Sequence, residues 1–279
     1  MLRPLAVSLV VAGMAVLLLA SCGASGGGAS STSTPTPGST AAIEGGGAQR
    51  LPTVPKPSKQ VSPTPSAALS QQQFAAQVFN DVQAMWSREF AKAGIRYRPA
   101  RLVEYSSVVH TSCGTQPSDV GPFYCPADGT VYLDLTFLTA PQQHIGATGD
   151  FARAYIIAHE LGHHVQNLLG ISSRAATVEQ HDPAAANAVS VRVELQADCL
   201  ADVWAHSTYD RKLLEPGDLE QALKAAAAVG DDFQQRLSGG QVEPESWSHG
   251  SSAQRQQWLQ TGFHTGSPGS CDTLPPAAA

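Results

Sequence analysis

The stretch AYIIAHELGHHVQNLLG, residues 154–170, carries His159 and His163 four positions apart, with Glu160 directly after the first. On an α-helix, residues four apart lie about 40° apart around the axis and one turn apart along it. Two imidazoles so placed can take two corners of a tetrahedral zinc. Glu160 sits beside that face, where it reaches a metal-bound water rather than the metal, as the general base of an H-E-x-x-H site does. A chain with nine histidines shows this pattern by accident about 0.01 times. The bland reading is a pair of core histidines. The flanking AYIIA and VQNLL supply the largely buried helix that the metal reading needs. His164 is five positions from His159, about 140° around the helix, so it cannot join the same metal. It belongs beside the site or on the surface.

The third ligand must come from elsewhere. Gln166 and Leu169 stand where a metzincin would carry Gly and His, which excludes that class. Downstream, VSVRVELQADCLADVWA places Glu194 and Asp198 four apart on one helical face, among apolar neighbours. Carboxylates in such a stretch are expensive unless a metal or a partner holds them. The economical assignment makes Glu194 the third ligand and Asp198 the acceptor for a ligand histidine's other N–H. The reverse assignment, with Asp198 on the metal, stays open. E-x-x-x-D after H-E-x-x-H resembles the gluzincin arrangement, and by that resemblance Asp198 orients His159.

These residues need rigid elements to hold them. SQQQFAAQVFNDVQAMWSREFAKAG, residues 70–94, has apolar residues near helical spacing, with Ser70 as cap and Gly94 as stop. The chain then turns β-rich. FYCPADGTVYLDLTFL holds two strand-like runs around Asp128-Gly129, a hairpin signal. From Asp150 onward the pattern is mainly helical, over roughly 150–169, 183–208, 216–229 and 251–261, punctuated by Gly and Pro. A small sheet or hairpin followed by a helical half that carries the H-E-x-x-H helix is an α+β arrangement.

HELGHHVQNLLG, VELQADCLADVWA, AAAAVGDDFQQ, SHGSSAQRQQWLQTGF and the terminal CDT follow one another in an order that resembles the neutral zinc metallopeptidase family of the YpfJ type. The upstream FYCPADGTVYLDLTF fits as well, so the resemblance spans about residues 70 to 274. It implies a zincin-like fold, one Zn2+ per chain on His159, His163 and Glu194, and hydrolysis of peptide bonds with Glu160 as base. A second electrophile must meet the developing oxyanion. His249 in SHGSSAQR is the candidate, since it precedes a Gly in a loop that opens a helix. A local capping role explains it equally well. The TVYLDL strand is a place where an extended substrate could add by β-pairing, while core packing of a hairpin explains the same residues. The acidic pair in VGDDFQQ reads best as helix caps, ahead of salt-bridge partners or a calcium site.

The first 22 residues have the layout of a cleaved export signal, with one Arg, a 16-residue uncharged apolar run and LASC at residues 19–22. LASC resembles a lipobox, which would make Cys22 a lipidated N-terminus. A plain anchor usually needs about 20 apolar residues. Residues 23–68 are dominated by Gly, Ser, Thr and Pro and read as a tether without a core. Residues 69–279 are enough for one domain. Beyond Cys22 four cysteines remain, without a C-x-x-C pair. In an oxidising compartment they read as two disulfides, Cys113–Cys125 and Cys199–Cys271 being preferred among three connectivities.

The formal charge of −6 and the absence of Lys/Arg runs argue against nucleic acid as partner. The sequence therefore points to a lipoprotein on the outer face of a bacterial cell membrane. It would be anchored through its lipid and act on a peptide or protein in the envelope. The alternative is a zinc-containing, non-proteolytic binding or assembly factor in the same place. An amidase acting on cell-wall peptides would share the chemistry.

Overall fold

The computed structural model describes residues 69–117, 120–134 and 149–274. The expected signal, the Cys22 lipidation site and the 23–68 tether lie outside the described residues. Among the described residues no helix is long and apolar enough to cross a membrane.

The first helix, α1, runs Gln71–Lys92 and starts with a capping box in which Ser70 and Gln73 satisfy each other's backbone N–H groups. Five short strands follow: β1 Arg101–Tyr105, β2 Val109–Thr111, β3 Gly114–Gln116, β4 Phe123–Cys125 and β5 Thr130–Asp134. β2 and β3 form a separate antiparallel pair, while the main sheet has the order β1-β5-β4. β1 runs parallel to β5, and β4 is antiparallel to it with Phe123 opposite Tyr132 and Cys125 opposite Thr130. The expected hairpin therefore forms at Asp128-Gly129, where Gly129 takes the left-handed conformation at φ +67°. The TVYLDL strand, however, is the central one. Every residue of β5 is buried and both its edges are occupied, so substrate cannot add to it; among the described residues β1 and β4 are the edge strands of this sheet.

The helical half comprises α2 Asp150–Leu168, α3 Ile171–His181, α4 Ala186–Asp210, α5 Asp218–Ala228, α6 Asp231–Leu237 and α7 Ser252–Thr265. α3 and α6 were not expected from the sequence. The helix anticipated from 183 begins instead as a 3-10 turn, Pro183–Ala185, before α4. The result is the α+β layout the sequence implied.

α2 is the centre of the core. Its Ile157, Ala158 and Leu161 are fully buried, and it packs on α1, α4 and α5. Gly162, inside the H-E-x-x-H motif, lets α2 and α4 touch: a Cβ there would lie 2.9 Å from the Ala197 carbonyl. Gly262 does the same between α7 and α4, where a Cβ would lie 2.1 Å from the Cys199 carbonyl. The ligand-bearing helix is thus gripped from two sides at van der Waals contact. Disulfides join Cys113 to Cys125 and Cys199 to Cys271. The second ties the 3-10 turn Pro268–Cys271 to α4.

Candidate metal centre

α2 brings His159 and His163 against Glu194 of α4. His159 Nε2 is 3.1 Å from Glu194 Oε2, and His163 Nε2 is 3.3 Å from Glu194 Oε1. The ligand-type atoms of all three residues lie within 4.8 Å of one another. Zinc bonds of about 2.0–2.1 Å at tetrahedral angles set ligand atoms about 3.4 Å apart. Two imidazole nitrogens and one carboxylate, already near that spacing, are a donor set that fits zinc.

The electrostatics of the trio agree. Burial disfavours charge on His159, but hydrogen bonds and attraction from Asp198 and Glu194 outweigh it and raise the ring to about 10. Burial would raise Glu194, yet His163 and His159 hold it well below the ordinary carboxylate range. The attraction between the two rings and the Glu194 carboxylate thus draws the three donor groups towards one another.

Of the two roles left open for the acidic pair, the geometry separates them by ring nitrogen. Glu194 meets the Nε2 atoms, while Asp198 Oδ1 stands 2.8 Å from His159 Nδ1, somewhat off the line of the ring N–H. Asp198 is completely buried. Arg255 of α7 binds it through two nitrogens, Nε to Oδ2 at 2.8 Å and Nη2 to Oδ1 at 2.7 Å, and the Tyr155 hydroxyl donates to Oδ1. This fork compensates a carboxylate that burial alone would neutralise.

Sequence reasoning passed over Arg255. The signal was there: Arg255, Leu259 and Phe263 form an i, i+4, i+8 stripe, all buried. A lone arginine in such a stripe needs a buried anion.

Glu160 is 7% exposed and lines a cavity of about 520 Å³ together with His159, His163 and Glu194. Burial raises its carboxyl pKa, against the opposing pull of His159 and His163. The remaining walls are largely apolar, with Val120, Phe123, Ile156, Val193 and Val229 among their residues.

His249 also lines this cavity. Its Nδ1 is 3.2 Å from Asp231 Oδ1. Asp231 Oδ2 accepts the backbone N–H groups of Ser248, His249 and Gly250 at 2.8, 2.6 and 2.9 Å. Asp232 Oδ1 accepts from Ser252 N at 2.7 Å at the start of α7. The acidic pair in VGDDFQQ therefore does cap, but across the fold: one carboxylate shapes the His249 loop and the other starts the next helix.

His164 is neither a ligand nor a surface residue. It is 3% exposed, with Nε2 2.7 Å from the Arg98 carbonyl and Nδ1 3.0 Å from the Tyr124 hydroxyl. The carbonyl accepts only, so Nε2 carries the proton and Nδ1 accepts from Tyr124. The ring straps α2 to β4.

The chain is 46% identical over 217 residues to "Uncharacterized protein YpfJ" of Escherichia coli (strain K12), covering 77% of this chain and 75% of the relative. It is 45% identical over 206 residues to "Uncharacterized protein Rv2575" of Mycobacterium tuberculosis (strain H37Rv), covering 70% and 68%. No solved structure matches it. A family model described as "Putative neutral zinc metallopeptidase" matches residues 38–274. With the H-E-x-x-H helix, the Glu194 helix and their shared cavity in one fold, the chain belongs to this neutral zinc metallopeptidase family.

Proposed function

We propose that this protein is an exported, membrane-tethered zinc peptidase that hydrolyses peptide bonds in the cell envelope. One observation carries the reading: His159, His163 and Glu194 converge on a point in the wall of a cavity that Glu160 also lines. His159, His163 and Glu194 would hold one zinc, which when bound supplies a Lewis acid that acidifies water and polarises the scissile carbonyl.

The chain's own residues do the rest. Glu160, its carboxyl raised by burial, takes the proton of the attacking water and delivers it to the leaving amine. His249, oriented through Nδ1 by Asp231, offers its other ring nitrogen to the developing oxyanion. The outer edge of β4, the edge strand whose Phe123 and Tyr124 line the cavity, pairs with an extended substrate backbone. The apolar walls select large apolar side chains beside the scissile bond and exclude water from it.

Export and tethering rest on the N-terminal sequence, with Cys22 as the lipidated residue. The two disulfides support an oxidising compartment. The Cys22→Ser protein is expected in the soluble fraction, and membrane retention would contradict lipidation.

The activity is tested by incubating the zinc-loaded chain with a diverse peptide mixture and reading new termini by mass spectrometry. Cleavage beside large apolar residues is expected, and none from Glu160→Gln. A folded, zinc-loaded wild type that generates no new termini would overturn the peptidase reading.

A further inference from the structure

Three positions beyond His163 on α2 lies Gln166, fully buried. Its Oε1 is 2.9 Å from His163 Nδ1, and its Nε2 donates to the Val193 carbonyl at 2.7 Å and to Gln196 Oε1 at 3.0 Å. Gln196 in turn donates through Nε2 to the Cys271 carbonyl at 2.9 Å.

A backbone carbonyl can only accept, so these two carbonyls dictate the polarity of both amides. Gln196 must turn its NH2 to Cys271 and therefore its oxygen to Gln166. Gln166 must turn its NH2 between Val193 and Gln196, which leaves only its oxygen for His163. An oxygen in that place accepts a ring N–H. The proton of neutral His163 is thereby set on Nδ1, and Nε2, the nitrogen facing Glu194, keeps its lone pair.

We propose that Gln166, locked by Gln196 and by the Val193 and Cys271 carbonyls, is the positioning residue that fixes His163 in its zinc-binding tautomer. It does for His163 by amide polarity what Asp198 does for His159 by charge. The inference rests on the zinc reading above. It also gives the C-terminal segment a role at the site. Cys271 is held at sulfur by Cys199 and at its carbonyl by Gln196, three positions apart on one face of α4.

Two substitutions in the full, oxidised chain separate positioning from packing. Gln166→Met keeps the volume and removes the acceptor; Gln166→Glu keeps an acceptor and removes the donors. Both should lower the melting temperature. Zinc affinity, measured by chelator competition, should fall about 10–100-fold in Gln166→Met and stay within about threefold in Gln166→Glu. Nitrogen NMR of histidine in the zinc-loaded wild type should show a His163 Nδ1–H protected from solvent exchange by its hydrogen bond to Gln166 Oε1, a readout that does not depend on a variant folding. The proposal is overturned if Gln166→Met binds zinc as tightly as wild type, if affinity merely follows melting temperature in both variants, or if the wild-type His163 Nδ1–H exchanges freely with solvent. A wild type that takes up no zinc would instead overturn the zinc reading itself.

Discussion

Arg255 grips Asp198 through two nitrogens at 2.8 and 2.7 Å, with both side chains buried and 57 residues apart in sequence. The pair reaches the metal centre because Asp198 also stands 2.8 Å from His159 Nδ1. α7 therefore braces a ligand histidine on α2 through a carboxylate on α4.

Removing one side of this pair should be severe. Arg255→Met leaves a buried carboxylate without its partner and should destabilise the fold by about 3–5 kcal/mol, read by denaturant unfolding. Asp198→Asn should weaken zinc binding about 10–100-fold, since it weakens the acceptor behind His159. A change in Arg255→Met below about 1 kcal/mol would place the fork among exposed, weakly coupled pairs.

Zinc binding should release protons. In the metal-free chain burial opposes the charge on His159, but Asp198 and Glu194 lift its value from the ordinary 6.5 to about 10. A raised histidine stabilises the fold fully below about pH 6.5, and that contribution is lost as pH rises through about 10. Zinc needs the neutral ring, so calorimetry near neutral pH in buffers of different ionisation enthalpy should show about one proton or more released per zinc. No release would contradict the ion-paired description of the metal-free site.

Asp202, one turn beyond Asp198 on α4, is 1% exposed, and its Oδ2 has no hydrogen-bond partner among the described residues. Burial, and then the charge of Asp198, hold its carboxyl protonated well above the ordinary 3.8. The unfolded chain releases this proton where the folded one retains it, so Asp202 lowers stability increasingly as pH rises above about 3.8. Asp202→Asn should therefore gain on wild type in melting temperature between about pH 4 and about pH 7. A constant difference across that range would mean that Asp202 is ionised in the fold.

His249 can be tested apart from zinc. His249→Ala should lower kcat about 10²–10³-fold with zinc content unchanged, the loss expected for an oxyanion donor. Unchanged kcat would leave it a loop residue that Asp231 orders.

What the sequence revealed follows the range of the interactions concerned. His159, Glu160 and His163 lie within one turn and a half of helix, and Glu194 with Asp198 within another, so spacing alone exposes them. The Asp128-Gly129 hairpin is equally local. Arg255, Gln196 and Asp231 acquire their roles only by docking against distant segments, and no local period encodes which carboxylate or carbonyl they meet. His164 was left between two places for a related reason: its angle around α2 removes it from the metal, but only β4, packed against that face, puts it beside the site rather than on the surface. TVYLDL is visible as a strand, but the choice between core packing and substrate pairing depends on β1, about 29 residues earlier in the register, which takes its second edge.

The most direct test of the account is the zinc content of three oxidised proteins after dialysis: wild type, Glu160→Gln and Glu194→Ala. The account predicts about one zinc per chain in wild type and Glu160→Gln, with peptide cleavage only in the former, and loss of most zinc in Glu194→Ala. Equal zinc retention in Glu194→Ala and Glu160→Gln would contradict the assignment of Glu194 and with it the centre described here.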